Sequence, residues 1–379
     1  MVPKGWGYKK LGSVAELQRG FDLPSSKRID GNIPIISSGG YSGFHNEAKV
    51  KAPGIVTGRY GSIGEVFFIE EDYWPLNTAL WVKDFHGNDA KFLYYLLSCF
   101  DYKKFSDKTG VPGVNRNDLH AVKVGVPPLP EQRKIAQILS TWDKAITTTE
   151  CLLTNRQQQK KALMQRLLTG KQRFAGFEGE WSQIFLGQVT DSFSGGTPSR
   201  SKSEYYGGNI PWIKSGEVND RFISNVEESI TQLGLDNSSA KIVPSNSILV
   251  AMYGATAGKV AINLINAAVN QAVLAIVPKE NICLYFLFYF LEYQMDKTLR
   301  LVQGGQPNLN AGIIKDILIN LPCLAEQQKI ASVLSAADAE ITTIQNQLDN
   351  LKQQKKALMQ QLLTGKRRVK VDSPALATQ

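Results

Sequence analysis

Residues 127–171 read PPLPEQRKIAQILSTWDKAITTTECLLTNRQQQKKALMQRLLTGK, and residues 322–366 read PCLAEQQKIASVLSAADAEITTIQNQLDNLKQQKKALMQQLLTGK. The offset is 195 residues throughout, without a gap, and 28 of the 45 positions are identical. A repeat of this length decides the architecture before any single element does.

Each copy has the marks of one long helix. Pro130 and Glu131 suit a first turn, where a missing N–H costs nothing and a carboxylate faces the positive end of the helix dipole. Gly170 and Gly365 stand where a left-handed C-cap residue is wanted. The first copy spaces Ile135, Leu139, Trp142, Ile146, Leu153, Leu163 and Leu167 by threes and fours. The second does the same with Ile330, Leu334, Ile341, Ile344, Leu348, Leu351, Leu358 and Leu362. One heptad frame fits both, with Lys160 and Lys355 as polar exceptions in the seam. At 1.5 Å per residue each rod is roughly 55–60 Å long. An apolar stripe on such a rod needs a partner, and the other copy supplies one.

The segments between the rods repeat more loosely. Strand candidates in the first are Ile33–Ile36, Gly54–Thr57 and Glu65–Ile69, and the amphipathic run Lys91–Phe105 predicts a helix. Trp181 answers Trp6, Gly208-Asn-Ile-Pro211 repeats Gly31-Asn-Ile-Pro34, Tyr253-Gly254 answers Tyr60-Gly61, and Asn310 answers Asn115. The order is thus globule 1–126, rod 127–171, globule 172–321, rod 322–366, and a basic, then disordered, tail 367–379. The second globule joins the end of one rod to the start of the other, and a domain of this size has a radius of gyration of only about 14 Å. Antiparallel rods bring those attachment points together; parallel rods would separate them by a rod length. The expected fold class is α+β: two similar α/β globules joined by two long helices in an antiparallel coiled coil, with pseudo-two-fold symmetry.

Composition narrows the function. The chain has 379 residues, a net charge of +9 and 43% hydrophobic residues. The charge is uneven: +3 on 1–126, +6 on 127–173, −3 on 174–321 and +3 on 322–379. The excess lies mainly on the rods, so bulk charge alone does not mark both globules as nucleic-acid binders. Cys99, Cys151, Cys283 and Cys323 form no CxxC pair, which indicates neither zinc nor a disulfide framework and suits a reducing cytoplasm. The most apolar run, Ile282–Leu291, is too short to span a bilayer.

Catalytic motifs fail one by one. Gly58 with Tyr60-Gly-Ser-Ile-Gly64 is not a dinucleotide fingerprint, and Gly254-Ala-Thr-Ala-Gly-Lys-Val260 is one residue short of a phosphate loop and lacks its magnesium-binding hydroxyl. Both read as glycine turns between strands. His45, His86 and His120 lie in one half, without metal or triad spacing. Asp30 with Glu47-Ala-Lys49 matches a nuclease carboxylate pattern that arises readily by chance, and no base-amino methyltransferase tetrapeptide occurs.

The Leu-Pro-Glu-Gln-Arg-Lys-Ile-Ala (129–136) and Leu-Ala-Glu-Gln-Gln-Lys-Ile-Ala (324–331) helix starts, the Lys-Lys-Ala-Leu-Met-Gln and Leu-Leu-Thr-Gly-Lys endings, the Gly-Asn-Ile-Pro strands and the Tyr-Gly turns together carry a resemblance over essentially the whole chain. It resembles the DNA-specificity subunit of type I restriction–modification systems. The resemblance implies that each globule is a target recognition domain reading one half of a split, asymmetric double-stranded DNA site. It implies rods that set the spacing and dock two methyltransferase subunits, with nuclease/translocase subunits joining that core. It implies a cytoplasmic subunit with no catalytic centre or metal of its own; S-adenosylmethionine, ATP and magnesium would sit on the partners. The alternative from another class is a scaffold without DNA, bridging two protein partners through its coiled coil.

Polar side chains on loops beside the matched strands are the candidate DNA contacts: Lys27, Arg28, Ser38, Arg59, Tyr60 and Arg116 in the first globule, and Arg200, Lys202, Lys214, Ser215, Glu217, Tyr253 and Asn308 in the second. Arginine can read guanine with two hydrogen bonds, and glutamate can accept from the cytosine amino group.

Overall fold

The computed structural model describes residues 3–105, 113–301 and 309–371. They form two compact units, Met1–Cys151 with Gln345–Gln379, and Leu152–Ile344. The boundary therefore runs through both long helices rather than at their ends.

In the first unit the chain forms β1 (Gly7–Lys10), β2 (Glu16–Arg19), β3 (Ile33–Ser37), β4 (Gly40–His45), β5 (Gly54–Gly58), β6 (Val66–Ile69), β7 (Trp74–Pro75), β8 (Ala79–Asp84), α1 (Ala90–Ser98), α2 (Arg116–Ala121) and β9 (Lys123–Val126), then enters α3 (Leu129–Leu168). A four-stranded antiparallel sheet runs β2-β8-β5-β6, and a three-stranded one runs β4-β3-β7 with β3 and β7 parallel. β1 pairs antiparallel with β9 from Gly7↔Val126, closing the globule just before the helix starts. The helix expected over Lys91–Phe105 is shorter: the Cys99 and Phe100 amides turn back to Leu96 and Leu97, and Tyr102–Phe105 form a separate 3-10 turn.

The second unit comprises β10 (Ser182–Phe185), α4 (Leu186–Val189), β11 (Thr190–Ser194), β12 (Tyr206–Ile213), β13 (Phe222–Ile223), β14 (Ser229–Ile230), α5 (Gln232–Asp236), β15 (Lys241–Val243), β16 (Ser247–Ala251), β17 (Val260–Asn263), β18 (Ala267–Val269), β19 (Val273–Pro278), α6 (Leu284–Leu301), α7 (Ala311–Lys315), β20 (Leu318–Leu321) and α8 (Leu324–Leu362). Its main sheet, β11-β19-β16-β17-β13, repeats the first unit's four strands and adds β13 at the edge, parallel to β17. The sheet β14-β12-β18-β15 keeps the parallel pair, here β12 and β18, and β10 with β20 repeats the closing ribbon.

The repeated Gly-Asn-Ile-Pro has a steric cause. A Cβ on Gly31 would meet the His45 carbonyl at 2.4 Å, and one on Gly208 would meet the Ile230 carbonyl at 2.6 Å, so the neighbouring strand passes too close for any side chain. The helix ends likewise match: Gly170 and Gly365 have φ of +72° and +71°, as the C-cap reading expects.

Each unit pairs the beginning of one long helix with the end of the other, antiparallel. In the first, Asp143 meets Lys355 and Glu150 meets Lys352; in the second, Arg156 meets Glu340 and Lys160 meets Asp338. The seam residues do not all serve the helix pair alone. Ile135, Leu139 and Leu362 belong to the first globule's core beside Trp6, Leu11, Phe92 and Leu93. Leu167, Ile330 and Leu334 belong to the second's beside Phe286, Leu287 and Ile317. Leu163 and Leu358 pack partly against the same cores. Ile344 and Leu348 are buried, and Trp142, Ile146, Leu153, Ile341 and Leu351 are half-buried. In each unit the glycine-capped helix end thus docks on its own globule.

The tail expectation is corrected over residues 367–371. The Arg367 amide bonds the Gln361 carbonyl, Val369 packs on the first unit's core, and Arg368 holds Glu131. Residues 372–379 lie outside the described residues.

Candidate nucleic-acid interface

Two sets of polar residues recur in both units and hold each globule to its helices. At the start of α3, Glu131 is 3% exposed and must find partners for its charge. It accepts from Trp6 Nε1 at 3.2 Å and from Arg368 Nε and Nη2 at 2.6 and 2.8 Å. Glu326, fully buried at the start of α8, accepts from Trp181 Nε1 at 3.0 Å and from Arg173 at 2.9 and 2.7 Å. The next residue spans the entry loop. Gln132 donates to the Pro127 carbonyl and accepts from the Asp89 amide, both at 2.9 Å. Gln327 donates to the Pro322 carbonyl at 2.9 Å and accepts from the Cys283 amide at 2.8 Å. The repeated Glu-Gln is therefore a clasp between helix start, globule and the segment that follows the other long helix.

The second set lies about two to three turns further along. Tyr95 on α1 donates to Asp143 at 2.5 Å and lies 3.1 Å from the Ser140 hydroxyl, while Lys355 of α8 pairs with the same Asp143. Tyr289 on α6 donates to Asp338 at 2.7 Å and lies 3.2 Å from the Ser335 hydroxyl, while Lys160 of α3 reaches Asp338 at 2.6 Å. Each lysine also stands over its tyrosine ring, at 5.4 and 5.3 Å. Burial foremost, with the carboxylate accepting the hydroxyl's hydrogen bond, pushes both tyrosines far up, so they remain donors. Burial would raise Asp338, but hydrogen bonds from Lys160 and Tyr289 and the charges of Arg221 and Lys160 outweigh it and hold the carboxyl below its usual range. Lys160 and Lys355, the exceptions in the heptad pattern, are thus polar by design of the contact they make.

In the first unit the structure gathers four of the predicted residues. The Ser38 turn lies against the loop from Arg59 to Ser62, with the Ser38 amide donating to Thr78 Oγ1 at 3.4 Å. Arg59 stacks on Tyr60 at 4.3 Å and donates to its hydroxyl at 3.2 Å. Tyr60 bridges Gly113, and the Val114 amide bonds the Arg59 carbonyl, which brings exposed Arg116 at the start of α2 to the same place. Lys27 and Arg28 stand apart on the approach to β3, Arg28 donating to the Ser42 carbonyl at 3.1 Å across the β3–β4 hairpin. That hairpin exposes Tyr41 and Phe44.

The second unit's candidates are more engaged with one another. Arg200 makes a two-pronged pair with Glu228 and stacks over Tyr206 and Trp212 at 4.5 and 5.1 Å. Lys214 reaches the same carboxylate at 3.1 Å. Hydrogen bonds from Arg200, against a lesser push from burial and with help from Lys214, hold Glu228 below the usual carboxylate range. Glu217 accepts from the Lys214 and Glu227 amides at 2.6 and 3.1 Å, so its oxygens brace the loop that carries half-buried Ser215. Lys202 donates to the Tyr205 hydroxyl at 3.1 Å. Tyr253 packs partly on the globule core and does not join this group. Asn308 lies outside the described residues.

The loops that resembled phosphate cradles connect antiparallel neighbours β5 to β6 and β16 to β17. His120 accepts from the Leu17 amide at 2.8 Å, and His45 is buried against the Ile29 backbone. His86 is different: its ring, Glu16 and Asp84 bring ligand atoms within 4.8 Å of one another, a grouping that sequence spacing concealed. Glu131, Gln132, Asp143, Tyr95 and their counterparts were also missed as a set. Their signal was present, because each is identical at its repeat position without being required by helix periodicity. Arg173 and Arg368, two residues beyond the repeat as delimited, share the same 195-residue offset. Glu228 carried no such signal.

Comparison with known proteins adds the following. Residues 3–155 and 178–353 match the family model of the type I restriction modification DNA specificity domain. The chain is 24% identical over 334 residues to the type I restriction enzyme EcoR124I/EcoR124II specificity subunit of Escherichia coli, covering 82% of this chain and 81% of that one. Its fold resembles the S subunit of a type I restriction–modification system from M. genitalium, with a TM-score of 0.63 at 17% identity over 96% of both chains. A chain solved for complex assembly and conformational transition of the type I system also gives 0.63 at 17% identity, covering 97% of this chain and all of that one.

Proposed function

Since the chain belongs to the type I restriction–modification DNA specificity family, we propose that its two recognition domains each read one half of a bipartite, asymmetric DNA site. The paired helices α3 and α8 set the gap and dock two methyltransferase subunits, to which nuclease/translocase subunits are added. The observation that carries this reading is the level at which the duplication holds. The clasps at Glu131 and Glu326 and the Tyr-Ser-Asp-Lys sets at Asp143 and Asp338 repeat, whereas the loops that hold Arg59 and Arg200 differ. A duplicated frame with unlike loops suits two similar partners on the frame and two unlike half-sites on the loops.

In this reading the subunit contributes no catalytic group. S-adenosylmethionine belongs to the methyltransferase subunits, ATP and magnesium to the nuclease subunits, and the complex works in the cytoplasm where its DNA lies. Arg59, Tyr60 and Arg116 are the first unit's contacts, and Arg200 and Lys214 the second's, once DNA competes with Glu228 for them. A scaffold bridging two proteins without DNA would need no divergence between the loops. Among the described residues, no helix is long and apolar enough to cross a membrane.

The test is a gel shift of the chain with its methyltransferase subunits on duplex libraries at rising salt. A salt-resistant preference for one split sequence is expected. Uniform loss of binding with salt for every sequence refutes the reading.

A further inference from the structure

Among the described residues, the strand β13 and the segment leading to it have no counterpart in the first unit; Phe222 of β13 packs on Tyr285 and Phe288 of α6, and the residue before it carries a charge to the helices. Arg221 donates from Nη2 to Glu292 of α6 at 2.9 Å and pairs through Nη1 with Asp338 of α8 at 3.0 Å. Its guanidinium stands over the Phe288 and Tyr289 rings at 5.0 and 5.9 Å. Its carbonyl accepts from the Ile262 amide at 2.9 Å, which fixes the backbone beside β17. Lys160 of α3 completes the cluster, at 2.6 Å from Asp338 and 3.6 Å from Glu292. Two cations meet two carboxylates, a balanced set that loses its neutrality when any member is removed.

What precedes Arg221 is the candidate reading loop. Lys214, Ser215 and Glu217 lie within seven residues of it. The loop is stiff, since Glu217 binds the Lys214 and Glu227 amides, the Glu217 amide bonds the Lys214 carbonyl, and Val218 is buried in the sheet's core. A stiff loop with one charged tether to the helices transmits the position of that tether to its tip. In the first unit Asp143 meets Tyr95 and Lys355, and among the described residues the recess beside them is lined by Ser98, Cys99, Asp143, Lys355 and Lys356 but by no arginine.

We infer that Arg221 is a positioning residue for DNA specificity: it touches no base, but seats the second unit's reading loop against α6, α8 and α3. The inference rests on the bipartite reading above. It predicts that selectivity depends on Arg221 in one half-site only.

The experiment uses the full chain with its methyltransferase subunits in cells, with the methylated sequences read genome-wide for the native chain, Arg221→Ala, Arg221→Lys and Glu292→Gln. The native chain gives one split sequence; if it gives none, the function reading fails before the variants are considered. Arg221→Ala is expected to relax one half-site about tenfold or more in base preference and leave the other as it was. Arg221→Lys, which keeps charge but loses the planar fork, and Glu292→Gln, which removes one acceptor, are expected to relax the same half-site less. A merely structural role lowers methylation without changing preference, or affects both half-sites alike, and either result overturns the inference. If Arg221→Ala yields no complex, native selectivity in both milder variants overturns it equally.

Discussion

Replacing Tyr289 by phenylalanine removes one hydroxyl and leaves the ring in place. That hydroxyl donates to Asp338 at 2.7 Å from a residue 1% exposed, so water does not readily take its place. A hydrogen bond to a charged group contributes about 1.5–3 kcal/mol net. Asp338 retains Lys160 at 2.6 Å and Arg221 at 3.0 Å, so its charge is not stranded and the loss falls at the lower end, about 1.5–2 kcal/mol. For a unit of this size that is a drop of roughly 3–8 °C in its melting temperature. The repeat supplies an internal control. Tyr95→Phe removes the matching bond to Asp143, whose side chain is 37% exposed and can recruit water, so about 1 kcal/mol is expected. The double variant is expected to lose the sum to within about 0.5 kcal/mol, because the two sets share no residue. Calorimetry gives the totals, and hydrogen exchange by peptide assigns each loss to its unit. A change below about 0.5 kcal/mol in Tyr289→Phe refutes the claim that the hydroxyl–carboxylate bond helps hold globule to helix.

Other expectations follow from the same contacts. Leu334→Ala and Leu139→Ala empty fully buried positions in the two cores and are each expected to destabilise their own unit by about 2–5 kcal/mol, measured by denaturant titration with unit-specific exchange. Asp338 has a folded-state pKa below its unfolded one, so its contribution is present above about pH 4 and fades as pH falls through the depressed folded value. Asp338→Asn is therefore less stable than the native chain at neutral pH and loses less stability between pH 5 and 3; parallel curves refute this. Shortening α3 and α8 by one heptad each removes about 10 Å of rise, about three base pairs of DNA, and methylome sequencing is expected to show a changed gap between unchanged half-sites.

The long helices were legible because periodicity, proline and glycine are local signals. So were the Gly-Asn-Ile-Pro strands, where close approach forbids a side chain. What stayed hidden depends on partners far along the chain. Trp6 finds Glu131 and Arg368 finds the same carboxylate only once β1 has paired with β9 and α8 has returned. The Lys91–Phe105 pattern overran Ser98 because amphipathic residues continue into a separate turn. The edge strand β13 is two residues long, and so short a segment carries no periodicity. Among the candidate contacts, residue type and loop position brought Arg59 and Arg200 into view, but nothing in the sequence announced Glu228 as the partner of Arg200.

The division of the molecule through its helices also sets an order of events during synthesis. The second unit is one continuous stretch, Leu152–Ile344, and can complete its core as soon as that stretch leaves the ribosome. The first unit cannot: Leu362, Leu363 and Arg368, which close its core and pair with Glu131, are made more than 200 residues after its amino-terminal part ends at Cys151. The amino-terminal globule thus waits, with the apolar faces of Ile135 and Leu139 unsealed, while the later one forms. A nascent chain stalled near residue 344 would expose that surface to chaperones and proteases.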